Sequence, residues 1–292
     1  MASGLDTKIN SYTLEKGLEF SAAVTTTPPQ TGSITAKTLS LSNTAAIAYQ
    51  STVNPLFGSG SWQLTMTGTE AAPVSAPRVT YNTLEQYDVF RDGDWSLGFW
   101  WKLNTQMIST RSSNVWAISP SASATQPGVL IQYNGTNAIN NAGKLSINYG
   151  GNNNVPISGV ISLNTWYYIA VRRQNINSAT NFNVYINGIN TLASTWAVLT
   201  GTTSVSVARW GDTNAYANYS WSISNSYYTT SAIIGASQIA EIYAAGVGTV
   251  GRTVKYYNGT AWVDSSAQKV YNGTAWVDWN AKRFDGTTWV TI

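Results

Sequence analysis

Apolar and polar residues alternate with a period of two along most of this chain, the pattern of strands that bury one face and wet the other. The alternation is clear at residues 39–41, 62–67, 95–103, 128–133, 144–149, 166–171 and 182–187. Asn134-Gly135, Gly150-Gly151-Asn152 and Asn187-Gly188 punctuate these runs with turn chemistry. Short strands with such punctuation predict a sandwich or barrel. No amphipathic helix is expected.

The pattern divides the chain into three parts. Residues 1–38 read as an arm or a first few strands. Within them Thr25-Thr26-Thr27-Pro28-Pro29 is a stiff connector, either a surface linker or an arm docking on a neighbouring subunit. Residues 39–248 carry the strands. Residues 249–292 repeat themselves: Tyr257-Asn258-Gly259-Thr260-Ala261-Trp262-Val263, then Tyr271-Asn272-Gly273-Thr274-Ala275-Trp276-Val277, then Phe284-Asp285-Gly286-Thr287-Thr288-Trp289-Val290. Asn-Gly and Asp-Gly between aromatic strands are hairpin signals, because both central residues must take positive φ. A lone hairpin buries too little to stand, so three must stack or pack on another surface. Trp262, Trp276 and Trp289 are expected to form the hydrophobic ladder of the array. The rival reading is an exposed ladder that grips polysaccharide or another protein. The expected fold class is therefore all-β: an antiparallel two-sheet jelly-roll-like sandwich followed by a small aromatic hairpin array.

Composition narrows the chemistry. Charged residues make up 10% of the chain, against about 25% in an ordinary soluble domain. The polar surface must come from Ser, Thr, Asn and Gln. The net charge is +3 with basic residues scattered, so the clustered phosphate contacts of nucleic-acid binding are not expected. Arg172-Arg173 reads as a solvated strand end. The chain has no His and no Cys, which removes Ser-His-Asp and Cys-His catalysis, His-ligated zinc and disulfides. No apolar run is long enough to cross a membrane. The first twenty residues lack the apolar core of a signal peptide. An extracellular-looking composition without such a leader suggests cytoplasmic assembly and release by lysis, as for virion proteins.

The residues from 39 to 248 resemble the concanavalin A-like lectin/glucanase fold in its laminin-G-like form. Four segments carry the resemblance: Trp95-Ser96-Leu97-Gly98-Phe99-Trp100-Trp101-Lys102-Leu103, Asn164-Thr165-Trp166-Tyr167-Tyr168-Ile169-Ala170-Val171-Arg172, Phe182-Asn183-Val184-Tyr185-Ile186-Asn187-Gly188, and Gln238-Ile239-Ala240-Glu241-Ile242-Tyr243 as a closing strand. The resemblance implies two packed antiparallel sheets, often used to bind sugars. The carboxy-terminal repeats resemble those of bacteriophage tail-associated and fibre proteins.

Glycoside hydrolysis needs two carboxylates across the scissile bond. The alternating carboxylates of the family's hydrolases are missing, and Glu241 stands alone on its segment, so no enzyme is expected. Asp92, Asp94, Asp212 and Asn214 could offer oxygens to Ca²⁺; plain turn residues are the favoured reading, and no cofactor is expected. Sugar rings stack their C–H faces on aromatics. The aromatic, polar segments 210–219 and 221–228 are read as binding loops, with Trp210, Asp212, Asn214, Tyr216, Tyr219 and Trp221 as the candidate glycan site. The functional expectation is a bacteriophage virion component, on the tail or a fibre-like appendage, that adheres to a host surface glycan. Its partners would be other virion proteins and, by symmetric assembly, copies of itself. The alternative is a capsid-decorating or architectural protein that touches no sugar.

Overall fold

Alternating segments become strands, and the strands build two sheets. The computed structural model describes residues 15–16, 39–50, 61–81, 94–119, 129–149, 152–174, 182–195, 207–212, 214–229 and 234–250, and the strand segments 254–257, 262–265, 269–271, 276–278, 282–284 and 289–291. The chain divides into two compact units, residues 1–250 and 251–292. The segment 25–29 lies outside the described residues.

In the first unit, one sheet runs in the order β14 (Ile189–Ser194), β13 (Phe182–Ile186), β12 (Trp166–Arg173), β7 (Trp95–Thr105), β17 (Tyr219–Thr229), β4 (Ser61–Met66) and β3 (Ile47–Gln50). An eighth strand, β1 (Glu15–Lys16), pairs with Tyr228 and Tyr227 of β17. Part of the amino-terminal segment thus belongs to the sandwich. The second sheet runs β11 (Asn152–Val160), β10 (Lys144–Tyr149), β9 (Val129–Asn134), β8 (Ser112–Ser119), β15 (Val207–Trp210), β6 (Arg78–Tyr81) and β2 (Leu39–Ser42). A short ribbon pairs β5 (Val74–Ser75) with β16 (Asn214–Ala215). Every pairing is antiparallel, and the architecture is an all-β sandwich.

The core lies between the sheets because alternate residues on each strand face inward. Leu97, Phe99, Trp101 and Leu103 of β7 meet Val129, Ile131 and Tyr133 of β9 and Leu145, Ile147 and Tyr149 of β10 within one buried cluster. Aromatic pairs bridge the sheets: Trp101 with Tyr133 at 5.8 Å between ring centroids, Trp95 with Trp116 at 6.4 Å, and Tyr149 stacked on Phe182 at 4.9 Å. A bulge in β8 between Asn114 and Trp116 breaks the alternation, which lets Val115 and Trp116 both join the core. Asn187 and Gly188 take φ of 54° and 78°, the twist-compatible turn their sequence calls for.

The expectation of no helix is corrected. Ala236–Val250 form α1, and the segment 238–243 read as a closing strand lies inside it. Its spacing explains the change. Ile239, Ile242 and Tyr243 fall at i, i+3 and i+4, and alanines, the best helix formers, fill much of the rest. The Gln238 side chain accepts the Gly235 N–H at 2.7 Å, and Ile239 N–H donates to Gly235 O at 3.0 Å. This is one half of a capping box. The helix packs on the outer face of the first sheet. There Ile239 and Ile242 form a second buried cluster with Trp100, Trp166, Tyr168 and Tyr185. Tyr243 stacks on Trp100 at 5.8 Å. β7 is therefore covered on both faces, Trp101 by the core and Trp100 by the helix.

The same covering corrects the reading of Arg172-Arg173. The Arg172 Nη1 donates to Ile234 O at 3.3 Å, and its guanidinium lies 5.6 Å from the Tyr185 ring centroid. Arg173, the last residue of β12, faces the core side and is fully buried.

In the second unit, β18 (Val254–Tyr257) pairs with β19 (Trp262–Ser265), β20 (Lys269–Tyr271) with β21 (Trp276–Asp278), and β22 (Lys282–Phe284) with β23 (Trp289–Thr291). Trp262, Trp276 and Trp289 each open the second strand of a hairpin, in register with Tyr257, Tyr271 and Phe284. The three expected hairpins are strand pairs; the turns and the side chains of the ladder lie outside the described residues.

Candidate functional site

One end of the sandwich gathers the loops after β4, β7 and β9 and the segment before β17. Backbone hydrogen bonds stitch two of them together. Gly135 N–H donates to Arg111 O at 3.0 Å, Asn137 N–H to Ser109 O at 3.2 Å, and Thr136 N–H to Met107 O at 3.0 Å. Met107 anchors this loop by burying its side chain in the core. Gly135 permits the close approach: a Cβ there would lie 2.2 Å from Ser109 O. Asn134 holds the base of the same turn. Its Nδ2 donates to Lys144 O at 3.1 Å and Ser146 Oγ at 2.9 Å, and its Oδ1 accepts Ser112 Oγ at 2.6 Å. As the first residue of a glycosylation sequon, this amide is buried and bonded rather than displayed.

A carboxylate ties in the third loop. Glu70 Oε1 accepts Ser109 Oγ at 2.6 Å and Thr110 N–H at 2.5 Å, and Thr110 Oγ1 lies 2.9 Å and 3.0 Å from its two oxygens. Hydrogen bonds from Ser109 and Thr110 hold its carboxyl below the usual range, and Arg111 adds to the effect. Asn218 Oδ1 accepts Gly68 N–H at 3.1 Å, joining the segment before β17 to the loop after β4.

Between these loops lies an open cleft of about 480 Å³, within the roughly 300–1,000 Å³ of small-molecule sites. Glu70 and Thr69 line it from one loop, Ile108, Ser109 and Thr110 from the second, Asn137 from the third, and Tyr216 and Asn218 from the fourth. Tyr216 is half-buried, and the Arg111 guanidinium lies 5.9 Å from its ring centroid. Ile108 is 68% exposed. The cleft thus offers an aromatic ring, an aliphatic side chain, amides, hydroxyls and one carboxylate.

Of the six residues expected to hold a glycan, the structure brings Tyr216 to this cleft. Trp210, Tyr219 and Trp221 are core residues, 1%, 3% and 1% exposed, and their ring faces are closed to a sugar. The physical reason is that 219–229 is a central strand rather than a loop, with Tyr219, Trp221 and Ile223 facing the core and Ser220, Ser222 and Ser224 alternating with them. Trp210 likewise ends β15 and pairs with Trp116. Tyr219 donates its hydroxyl hydrogen bond to Ser113 Oγ across the sandwich.

Asp212 is buried and structural. Its oxygens accept Asn114 N–H at 3.1 Å and Asn114 Nδ2 at 3.4 Å, and its charge supports that of buried Arg209. From Asn114 an amide relay crosses the second sheet through Gln132 to Asn148, at 3.0 and 2.9 Å. Asn214 sits on β16, half-buried, opposite Ser75. Asp92 lies outside the described residues. Among the described residues no group of three or more carboxylates is placed to hold a metal ion.

Glu70, Thr110 and Asn137 have no distinctive local signal, whereas Asn218 falls within the segment 210–219 read as a binding loop. Gly-Thr-Glu-Ala-Ala around Glu70 reads as an ordinary turn, and its partners are 39 and 40 residues away.

No protein-family model matches the chain, and no curated protein matches it. Solved structures do. The binding domain of botulinum neurotoxin DC, in complex with rat synaptotagmin II, is 16% identical with a TM-score of 0.55, over 82% of this chain and 52% of that one. A structure bearing on the cell entry of botulinum neurotoxin type C, which depends upon interaction with two ganglioside molecules, is 15% identical with a TM-score of 0.56, over 82% and 53%. Trypanosoma rangeli sialidase in complex with sialic acid is 12% identical with a TM-score of 0.55, over 82% and 34%. The chain matches about half the length of the neurotoxin chains and a third of the sialidase. At these identities the likeness establishes the fold alone, a two-sheet antiparallel β-sandwich.

Proposed function

We propose that this protein is a carbohydrate-binding module and that the cleft around Tyr216 is its sugar site. One observation carries the reading: a ring, an aliphatic side chain and several hydrogen-bonding groups converge on an open cleft at the loop end of a lectin-like sandwich. A pyranose presents an apolar face to Tyr216 and Ile108, and hydroxyls to Asn137, Asn218 and Thr110. The ganglioside interaction of the neurotoxin and the sialic acid complex of the sialidase support a glycan ligand for this type of fold. The reading is binding rather than catalysis, since the described lining contributes one carboxylate, Glu70, where hydrolysis uses two.

The finer reading is an adhesin of a bacteriophage particle, on the tail or a fibre-like appendage, contacting a host surface glycan. It rests on the Tyr-Asn-Gly-Thr-x-Trp-Val repeats, which would anchor or extend the module among other virion proteins. An architectural role draws on a different observation. Ile108, Ile139 and Leu163, in the loops after β7, β9 and β11, are 68%, 95% and 44% exposed, a spread of aliphatic side chains suited to a protein neighbour.

A glycan array probed with the full chain and its Tyr216→Ala variant decides between them. The expected result is saturable binding that weakens at least about tenfold in the variant, the effect of losing a stacked aromatic anchor, with thermal stability retained. A folded chain that binds no glycan on the array overturns the sugar reading and leaves the architectural one.

A further inference from the structure

We infer that the cleft takes an uncharged pyranose and rejects acidic sugars, sialic acid included; this rests on the sugar-site reading above. The determinant is the unfilled hydrogen-bonding capacity of Glu70. An ionised carboxylate accepts about four hydrogen bonds and donates none. Here the protein supplies three donors: the Ser109 hydroxyl, the Thr110 N–H and the Thr110 hydroxyl. Two of these fall on Oε1 alone, and the single Thr110 hydroxyl proton is shared between the two oxygens. The remaining capacity is therefore at Oε2, on a side chain that lines the cleft.

A ligand group beside Oε2 must be a donor. Hydroxyls of a neutral sugar, or the N–H of an acetamido sugar, fit. A sugar carboxylate is an acceptor only, and it adds like-charge repulsion. Arg111 does not reverse this. Its guanidinium lies against the Tyr216 ring, and its charge acts on Glu70. The other cleft-lining residues are uncharged, and the amides of Asn137 and Asn218 serve hydroxyls. The selectivity is thus the opposite of what the sialic acid complex in the sialidase neighbour would suggest.

The test is an array of matched glycans, each with and without terminal sialic acid, probed with the full wild-type chain, Glu70→Gln and Tyr216→Ala. Wild type is expected to bind the asialo member at least about tenfold more tightly, the scale of a like-charge contact. That preference should shrink as salt is raised, because mobile ions screen exposed charges. Glu70→Gln keeps a carbonyl for Ser109 and Thr110 and should narrow the preference. The salt series on wild type stands even if that variant folds poorly. Equal or tighter binding of the sialylated members, abolished by Tyr216→Ala, overturns the charge selectivity while the sugar site survives. Binding of neither member by a folded chain overturns both.

Discussion

Tyr219 and Tyr133 show how a buried polar atom at the sandwich interior couples stability to pH. Burial pushes the Tyr133 phenol up to about 12 from its ordinary 10.0 and pushes Tyr219 up as well. Below pH 10 both are protonated whether folded or unfolded, so stability is flat with respect to them. Above it the unfolded chain releases protons that the folded chain retains, and stability falls as pH rises through the folded values. Denaturant titrations should therefore give a constant midpoint up to about pH 10 and a steep decline beyond. Tyr219→Phe should cost about 1 kcal/mol at neutral pH, through the lost bond to Ser113, and make the alkaline decline shallower. An unchanged alkaline slope would show that Tyr219 is not a linked group. These same residues mark what the sequence discloses. Aromatic content in 210–228 was visible, but content does not tell a binding ring from a core ring. The alternation of Tyr219, Trp221 and Ile223 with serines does tell them apart, and it identifies a strand. Glu70 was not legible at all, since its role exists through residues distant in sequence.

At the level of elements, strand β7 and helix α1 depend on each other. The strand presents Trp101 to the core and Trp100 to the helix, and without the helix the outer face would expose Trp100, Tyr168 and Tyr185. Trp100→Ala should cost about 3–5 kcal/mol, the usual range for removing a buried aromatic. The loss should be local to the helix first, because the variant leaves the inter-sheet core intact. Hydrogen exchange read by mass spectrometry is the check: amides within 239–246 should exchange much faster, while those of β9 and β10 remain protected. Uniform acceleration in both would refute a separable helix dock. Six strands legible in the sequence, β4, β7, β9, β10, β12 and β13, bury most of their residues. β14, exposed along most of its length, carries no alternation to read. The helix escaped because residues 238–243 are read through their resemblance to a family's closing strand and not through their own spacing. The i, i+3, i+4 set and the alanines decide against it once the Trp100 face is known to need cover.

For the whole molecule, the division at residues 250 and 251 places both sheets, the helix and the cleft in one unit. The hairpin unit has strands of three or four residues, short for stability on their own. Removing residues 251–292 should leave the melting temperature of the sandwich within about 3 °C, the shift produced by about 1 kcal/mol in a domain of this size. Glycan affinity should also be retained per binding site. A collapse in melting temperature would mean that the hairpins complete the sandwich core. The two-sheet plan was legible because its alternation recurs over so many strands. The order in which those strands lie was not, since the register of β17 against β7, with Thr105 and Ser220 115 residues apart, is set by long-range packing.

The pairing of Glu15–Lys16 with Tyr227–Tyr228 puts the first and last strands of the sandwich side by side, one strand spacing of about 5 Å apart. The helix that follows β17 covers Trp100, so a module moved out of its context must keep residues 236–250 together with that strand pair. A self-contained cassette thus runs from β1 through α1 and carries the cleft with it.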